Sequence, residues 1–171
     1  AEFHRAVRSR RAFAAGDAVR YHHVCVDASL AVAWLSYERY TVIANALRHE
    51  WREHSVQMVG PALFHAAVTS AIRQQVYFKR IQPEEGEEVF SIYLDIPIRI
   101  IDEQEIYRKA WQLAKEFNLP VCYDMQYLAV AELEDCELWT ADRRLASSLK
   151  GKSKRIRWVG EYAEKNTGTL P

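Results

Sequence analysis

The chain has 171 residues, 49% hydrophobic and 12% aromatic, which suits one domain with a sizeable core and excludes a disordered composition. Its 23 Lys and Arg balance 23 Asp and Glu, so bulk charge neither implies nor excludes a nucleic-acid partner. No apolar run approaches membrane-span length, no secretory signal is visible, and Cys25, Cys122 and Cys136 form no CxxC pair, which together point to a reduced, cytoplasmic setting without a membrane.

In chain order, residues 1–20 hold five arginines against Glu2 and Asp17, and the chain opens on Ala rather than Met. They read as a basic N-terminal extension, helical or loose, native or added, that carries no weight in the fold. Residues 24–27 form a short buried-type strand. A helix follows from about residue 30, with Ser29 or Asp27 as its cap. Helical rhythm continues over 38–53, placing Val42, Ala46 and Leu47 on one face.

Residues 56–59 are a second strand, and Gly60-Pro61 signals the start of a long helix over 61–78. Residues 83–93 form another helix, with acids in its first turn as the macrodipole prefers. A β-branched strand spans 98–101, and Asp102 caps a helix running to about 117. A helix over 123–134, a strand over 137–139, a short helix over 143–149 and a strand over 155–159 complete the alternation. Strands alternating with helices imply an α/β fold, a three-layer sandwich around a mostly parallel, doubly wound sheet.

Three aspartates end short apolar runs just before helical stretches: Asp27 in Val24-Cys25-Val26-Asp27, Asp124 in Pro120-Val121-Cys122-Tyr123-Asp124, and Asp142 in Trp139-Thr140-Ala141-Asp142. Carboxyl-end loops of a parallel sheet converge on one crevice, so these acids are expected to become neighbours. Two carboxylates about 4 Å apart cost roughly 4 kcal/mol at an effective dielectric near 20 unless a cation intervenes. For all-oxygen ligands that cation is Mg2+ or Mn2+. Each acid taken singly is equally an ordinary helix N-cap, and only the three together favour metal.

Val26-Asp27-Ala28-Ser29, the Pro61-Ala62-Leu63 helix start, Tyr123-Asp124-x-x-Tyr127-Leu128-Ala129-x-Ala131 and Thr140-Ala141-Asp142-Arg143-Arg144-Leu145, in this order and spacing, resemble the PIN-domain family. Within it the chain is most similar to the VapC-type toxin ribonucleases of type II toxin–antitoxin modules. The resemblance implies a PIN-like domain over 21–160, followed by a C-terminal tail over 161–171. It implies a metal-dependent endoribonuclease acting on single-stranded RNA, with Asp27, Asp124 and Asp142 as metal ligands and Thr140 as the hydroxyl beside the last acid. It also implies an antitoxin partner and a homodimer formed through early helices, where Trp34, Leu35, Tyr37 and Tyr40 lie.

The family usually carries a fourth acid, a glutamate six residues after the helix-starting proline. Here that position is Ala67. His65, two residues earlier, points about 200° away around a helix and does not replace it. The substitution raises a second reading, a catalytically weak or inert PIN-like domain that binds RNA or a protein partner.

Beside Asp142 runs a basic stretch, Arg143, Arg144, Lys150, Lys152, Lys154, Arg155 and Arg157, with no acid among residues 143–157. Its adjacency to the acids marks it as the track for an RNA backbone. Ser29, at the start of the first helix, is a further candidate phosphate contact.

Overall fold

The structure is a computed structural model that describes residues 22–36 and 40–166. The Arg-rich residues 1–20 and Tyr37 lie outside the described residues.

Five strands form one sheet: β1 (His23–Val26), β2 (Gln57–Pro61), β3 (Arg99–Ile101), β4 (Glu137–Thr140) and β5 (Ile156–Trp158). All four pairings are parallel, in the spatial order β3-β2-β1-β4-β5. The chain therefore builds outward from β1 to β3, then returns to the other side of β1. That reversal falls between β1 and β4, and in open α/β sheets the crevice outside a reversal is where ligands bind. Val26 is paired with Trp139, so the residues leaving the carboxyl ends of these two strands, Asp27 and Thr140, start side by side.

Val24, Cys25 and Val26 are all buried, as a central strand covered on both faces requires. The helices are α1 (Ala28–Leu35), α2 (Thr41–Glu53), α3 (Leu63–Tyr77), α4 (Pro83–Leu94), α5 (Gln104–Glu116), α6 (Tyr123–Leu133), α7 (Arg143–Leu149) and α8 (Val159–Asn166). α6 lies on β1, β2 and β4 with α5 packed along it, while α1 is surrounded by α2, α3 and α4. Right-handed crossovers put these two groups on opposite faces of the sheet, giving the three layers expected. α6 is apolar nearly all round, burying Met125, Tyr127, Leu128, Ala129, Val130 and Ala131, so it is a core helix rather than an amphipathic one. Truncating Leu128, which has no exposed surface, to Ala would cost about 2–5 kcal/mol.

Several local expectations shift. Pro61 ends β2 instead of opening α3; it pairs only with Ile101 of β3, because the β1 pairing stops at Val59, so its missing N–H is tolerated. The buried face of α2 is Ala44, Leu47 and Trp51, whereas Val42 and Ala46 are exposed. Trp51 sets that phase by stacking edge-on against Trp34 and Trp139. Asp102 caps nothing: it accepts from the Tyr107 hydroxyl, and Glu103 occupies the N-cap position of α5.

Residues 161–166, read as a tail, continue α8. Its Tyr162 packs against Trp139 and donates to Glu50 Oε2 at 2.6 Å, docking the helix on α2. No helix among the described residues is long and apolar enough to cross a membrane.

Candidate active site

A cleft of about 310 Å³ opens at the carboxyl edge of the sheet, lined by Asp27, Ala28, Ser29, Leu63, Ala67, Tyr123, Asp124, Tyr127, Asp142 and Leu145. All three aspartates are thus brought to one place, from the ends of β1 and β4 and from the first turn of α6. No Lys or Arg is among the lining residues.

Asp27 is the N-cap of α1 and is almost fully buried, 5% exposed. Its Oδ1 accepts from Leu30 N at 2.9 Å and from Ser29 Oγ at 2.8 Å; its Oδ2 accepts from Thr140 Oγ1 at 2.5 Å. Burial nevertheless dominates and pushes its pKa up to about 6; the bonds from Thr140, Leu30 and Ser29 oppose this, and the Asp124 charge adds to it. Asp142 is likewise an N-cap, its Oδ1 accepting from Arg144 N at 2.7 Å and Leu145 N at 3.3 Å. The capping explanation and the shared cleft therefore hold together for these two acids. A cap of this kind is worth about 1 kcal/mol.

Asp124 differs. The N-cap of α6 is Cys122, and Asp124 caps nothing and has no hydrogen bond within the described residues. It sits at the open side of the cleft, where partial burial first and the Asp142 charge second raise its pKa. It has no structural task that would explain a carboxylate there.

Thr140 and Ser29 act behind the acids. Thr140 is completely buried and is not among the residues lining the cleft, so its hydroxyl meets a carboxylate and not a phosphate. The Ser29 hydroxyl donates to Asp27 and accepts from Ala141 N at 3.0 Å and Asp142 N at 3.1 Å. A hydroxyl has one proton and two lone pairs, so nothing is left for RNA. Both residues hold the β1 and β4 ends together.

The basic run divides. Arg143 and Arg144 begin α7 beside Asp142, exposed, with Arg143 stacked over the Trp158 ring at 5.4 Å. α7 then descends past the sheet. Lys150, Lys152, Lys154 and Arg155 lie where the chain enters β5, at the amino edge, opposite the acids. Arg155 is bound there, to Asp135 at 2.6 Å and to the Cys136 carbonyl at 3.1 Å, and Lys152 lies over Phe117. Arg157 pairs with Glu137 at 2.9 Å. Nearness in sequence to Asp142 misleads because α7 separates the two edges.

Ala67 does face the cleft, as the helix register demands, while His65 turns away to bond the Tyr93 hydroxyl. Glu50, held by Tyr162, lies outside the cleft lining. Tyr127 carries no role of its own in the sequence motif over 123–131; its spacing of three from Asp124 is the available signal, placing both on one helix face. The early aromatics expected at a dimer contact are engaged within the chain: Trp34 is 6% exposed and donates to Ala44 O at 2.9 Å, and Tyr40 packs on Trp158.

The donors around the cleft are all oxygen, the ligand type of hard divalent cations. As they stand, no three His, Cys, Asp or Glu side chains among the described residues are close enough to hold one ion. The set therefore fits a cation held by one or two carboxylates directly and by the others through water, the manner in which magnesium binds.

A family model described as PIN domain matches residues 40–158. Ribonuclease VapC12 of Mycobacterium tuberculosis is 32% identical over 126 residues, which is 73% of this chain and 91% of that protein. Among solved structures, PAE2754 from Pyrobaculum aerophilum superimposes with a TM-score of 0.56 at 19% identity, over 86% of this chain and 96% of its own. A toxin–antitoxin complex from Klebsiella pneumoniae gives 0.58 at 17% identity, over 80% and 97%. At such identities the structures speak for the fold alone.

Proposed function

Since this chain belongs to the PIN-domain family, we propose that it is a toxin-like, Mg2+- or Mn2+-dependent endoribonuclease that hydrolyses single-stranded RNA in the cleft of Asp27, Asp124 and Asp142. The observation that carries this reading is Asp124: a carboxylate with no cap to make and no partner among the described residues, raised in pKa beside a second acid, in a cleft without a basic side chain among its lining. At neutral pH a bound cation relieves the repulsion in such a site. When bound, that ion supplies charge neutralisation at phosphate and activation of water.

The chain's own residues do the rest. Asp124 and Asp142 present carboxylate oxygens to the open side. Asp27, fixed by Thr140, Ser29 and the Leu30 N–H, presents the deep side in one orientation. Arg143 and Arg144 stand at the rim for the flanking phosphates, and the exposed Tyr123 ring at the mouth offers a stacking face for a base. Lys150, Lys152 and Lys154 stand at the other edge, away from the path of RNA through the cleft.

The named relative is a ribonuclease and the Klebsiella structure is a toxin–antitoxin complex. By that analogy the reading includes a cytoplasmic setting and an antitoxin that silences the cleft, with an inhibitor arginine meeting the carboxylates. Any homodimer uses surface other than Trp34, which is buried.

One observation favours the alternative of a weak or inert binding domain: Ala67 lines the cleft where the family's acid would stand. The two separate on one experiment. Purified protein is incubated with a single-stranded RNA in manganese or in chelator, alongside Asp124→Asn. Cleavage that needs manganese and is lost in the variant supports the nuclease. RNA binding without cleavage by the parent, at saturating metal, establishes the binding domain instead.

A further inference from the structure

Arg143 follows Asp142 directly, yet its guanidinium forms no ion pair and no hydrogen bond among the described residues. An arginine so placed would ordinarily pair with a carboxylate. Instead it lies over the Trp158 ring, 5.4 Å from the centroid, and stays out of the cleft lining. That ring is itself held. Tyr40 meets it edge-on at 5.8 Å, and a Cβ at Gly160 would collide with it, so the indole fills space that only glycine leaves. Its Nε1–H is shut away from solvent without an acceptor among the described residues. A buried donor left unpaired is unfavourable, and a phenyl ring would avoid that cost. What indole offers instead is the best aromatic face for a cation. Arg144, also exposed, has no ring beneath it among the described residues.

We propose that Trp158 is a positioning residue for the RNA strand: its indole face holds the Arg143 guanidinium at the rim of the cleft, with the N–H groups free for a phosphate flanking the scissile bond. A guanidinium lying over a ring keeps its donors, because they point outward in its own plane while the ring covers a face. The contact therefore costs no phosphate-binding capacity, and it removes in advance the rotamer freedom that a long side chain loses on binding. It also keeps the cation off the acids, leaving Asp142 open to a metal. The fold sets ring and acid together. Trp158 ends β5 and is paired with Thr140 at the end of β4, two residues before Asp142, so one strand pairing places the support beside the site it serves.

The inference rests on the reading of the cleft as an RNA site, and the test separates the two. Trp158→Leu and Trp158→Phe are each combined with Arg143→Ala and, for comparison, with Arg144→Ala. Thermal melts establish which proteins are folded at the assay temperature. Kd for a single-stranded RNA is measured by fluorescence anisotropy in calcium, which takes the same oxygen ligands, and KM and kcat for its cleavage in manganese. Trp158→Leu is expected to raise Kd and KM about fivefold, and Trp158→Phe, which keeps a weaker ring, about threefold, with kcat little changed. In the Arg143→Ala background either substitution should leave Kd unchanged, and in the Arg144→Ala background it should keep its full effect. A merely structural role gives a loss that persists without Arg143, or one that falls on kcat, and either result overturns the proposal. So does a Trp158→Leu protein that binds RNA as well as the parent. If Trp158→Leu does not fold, Trp158→Phe carries the same cycle. If the parent binds RNA with this pattern but does not cleave it, the nuclease reading fails while Trp158 stands as the positioning residue; a parent that binds no RNA sinks both.

Discussion

Thr140 Oγ1 donates to Asp27 Oδ2 across 2.5 Å, joining the carboxyl ends of the two strands between which the sheet reverses direction. The two residues are 113 positions apart in sequence. The bond fixes the deepest carboxylate of the cleft and favours its ionised form against the burial that opposes it. Thr140→Val keeps the shape and removes the donor, leaving a buried carboxylate oxygen short of a partner. Urea unfolding at neutral pH should show a loss of about 1.5–3 kcal/mol. A variant as stable as the parent would mean the threonine is replaceable by water.

Asp27 also predicts a pH dependence. Its pKa is raised from 3.8 to about 6, so the folded state binds this proton more tightly than the unfolded chain does. The stabilisation is therefore fully present below about pH 4 and is lost as pH rises through about 6, by roughly 3 kcal/mol. Asp124, raised as well, acts in the same direction. In chelator, the stability of the parent relative to Asp27→Asn should fall across this window. Saturating manganese should flatten the difference, because a cation stabilises the ionised form. A difference that stays constant with pH in chelator would show that Asp27 is not desolvated.

Ala67 lines the cleft, so Ala67→Glu would add a fourth carboxylate to it. Without metal the extra charge should destabilise the protein by roughly 1–4 kcal/mol. With manganese the loss should be recovered, and both metal affinity and RNA cleavage should rise. Calorimetric titration with manganese measures the first directly. An unchanged affinity would place the new carboxylate outside the reach of the ion.

The division of the basic run is tested by salt. Replacing Arg143 and Arg144 with Ala should flatten the dependence of log K for single-stranded RNA on log salt concentration, by about 0.7 for each phosphate no longer neutralised. Replacing Lys150, Lys152 and Lys154 should leave that slope and the cleavage rate near the parent's. Equal effects from both sets would show RNA wrapping from the carboxyl edge of the sheet to the amino edge.

Sequence by itself determined whatever local chemistry decides. Apolar runs ending in Asp27 and Asp142 ahead of helical stretches told where strands stop and narrowed the next caps to Ser29 or Asp27 and to Asp142, because capping is an interaction over two or three residues; the structure makes Asp27 and Asp142 the caps. The family resemblance put position 67 at the cleft, and helix geometry then turned His65 away from it, since residues on one helix keep fixed angles to each other; the structure agrees on both. It fell short where local signals were weak or in conflict: Pro61 carries a helix-start signal yet ends a strand, and α8 follows β5 directly, without an apolar stripe to announce it.

Tertiary structure alone decided how the site works, because hydrogen-bond capacity is assigned by neighbours that strand order brings together. Only the β1–β4 pairing reveals that Ser29 and Thr140 are saturated by Asp27 and the backbone of residues 141 and 142, and so face inward rather than toward RNA. Only the path of α7 separates Arg143 from Lys150 by the height of the sheet. Only packing leaves the Asp124 carboxylate without a cap to make at the open side of the cleft. A sequence states which donors and acceptors a chain carries; the fold determines which of them remain unpaired, and those are the ones available to a ligand.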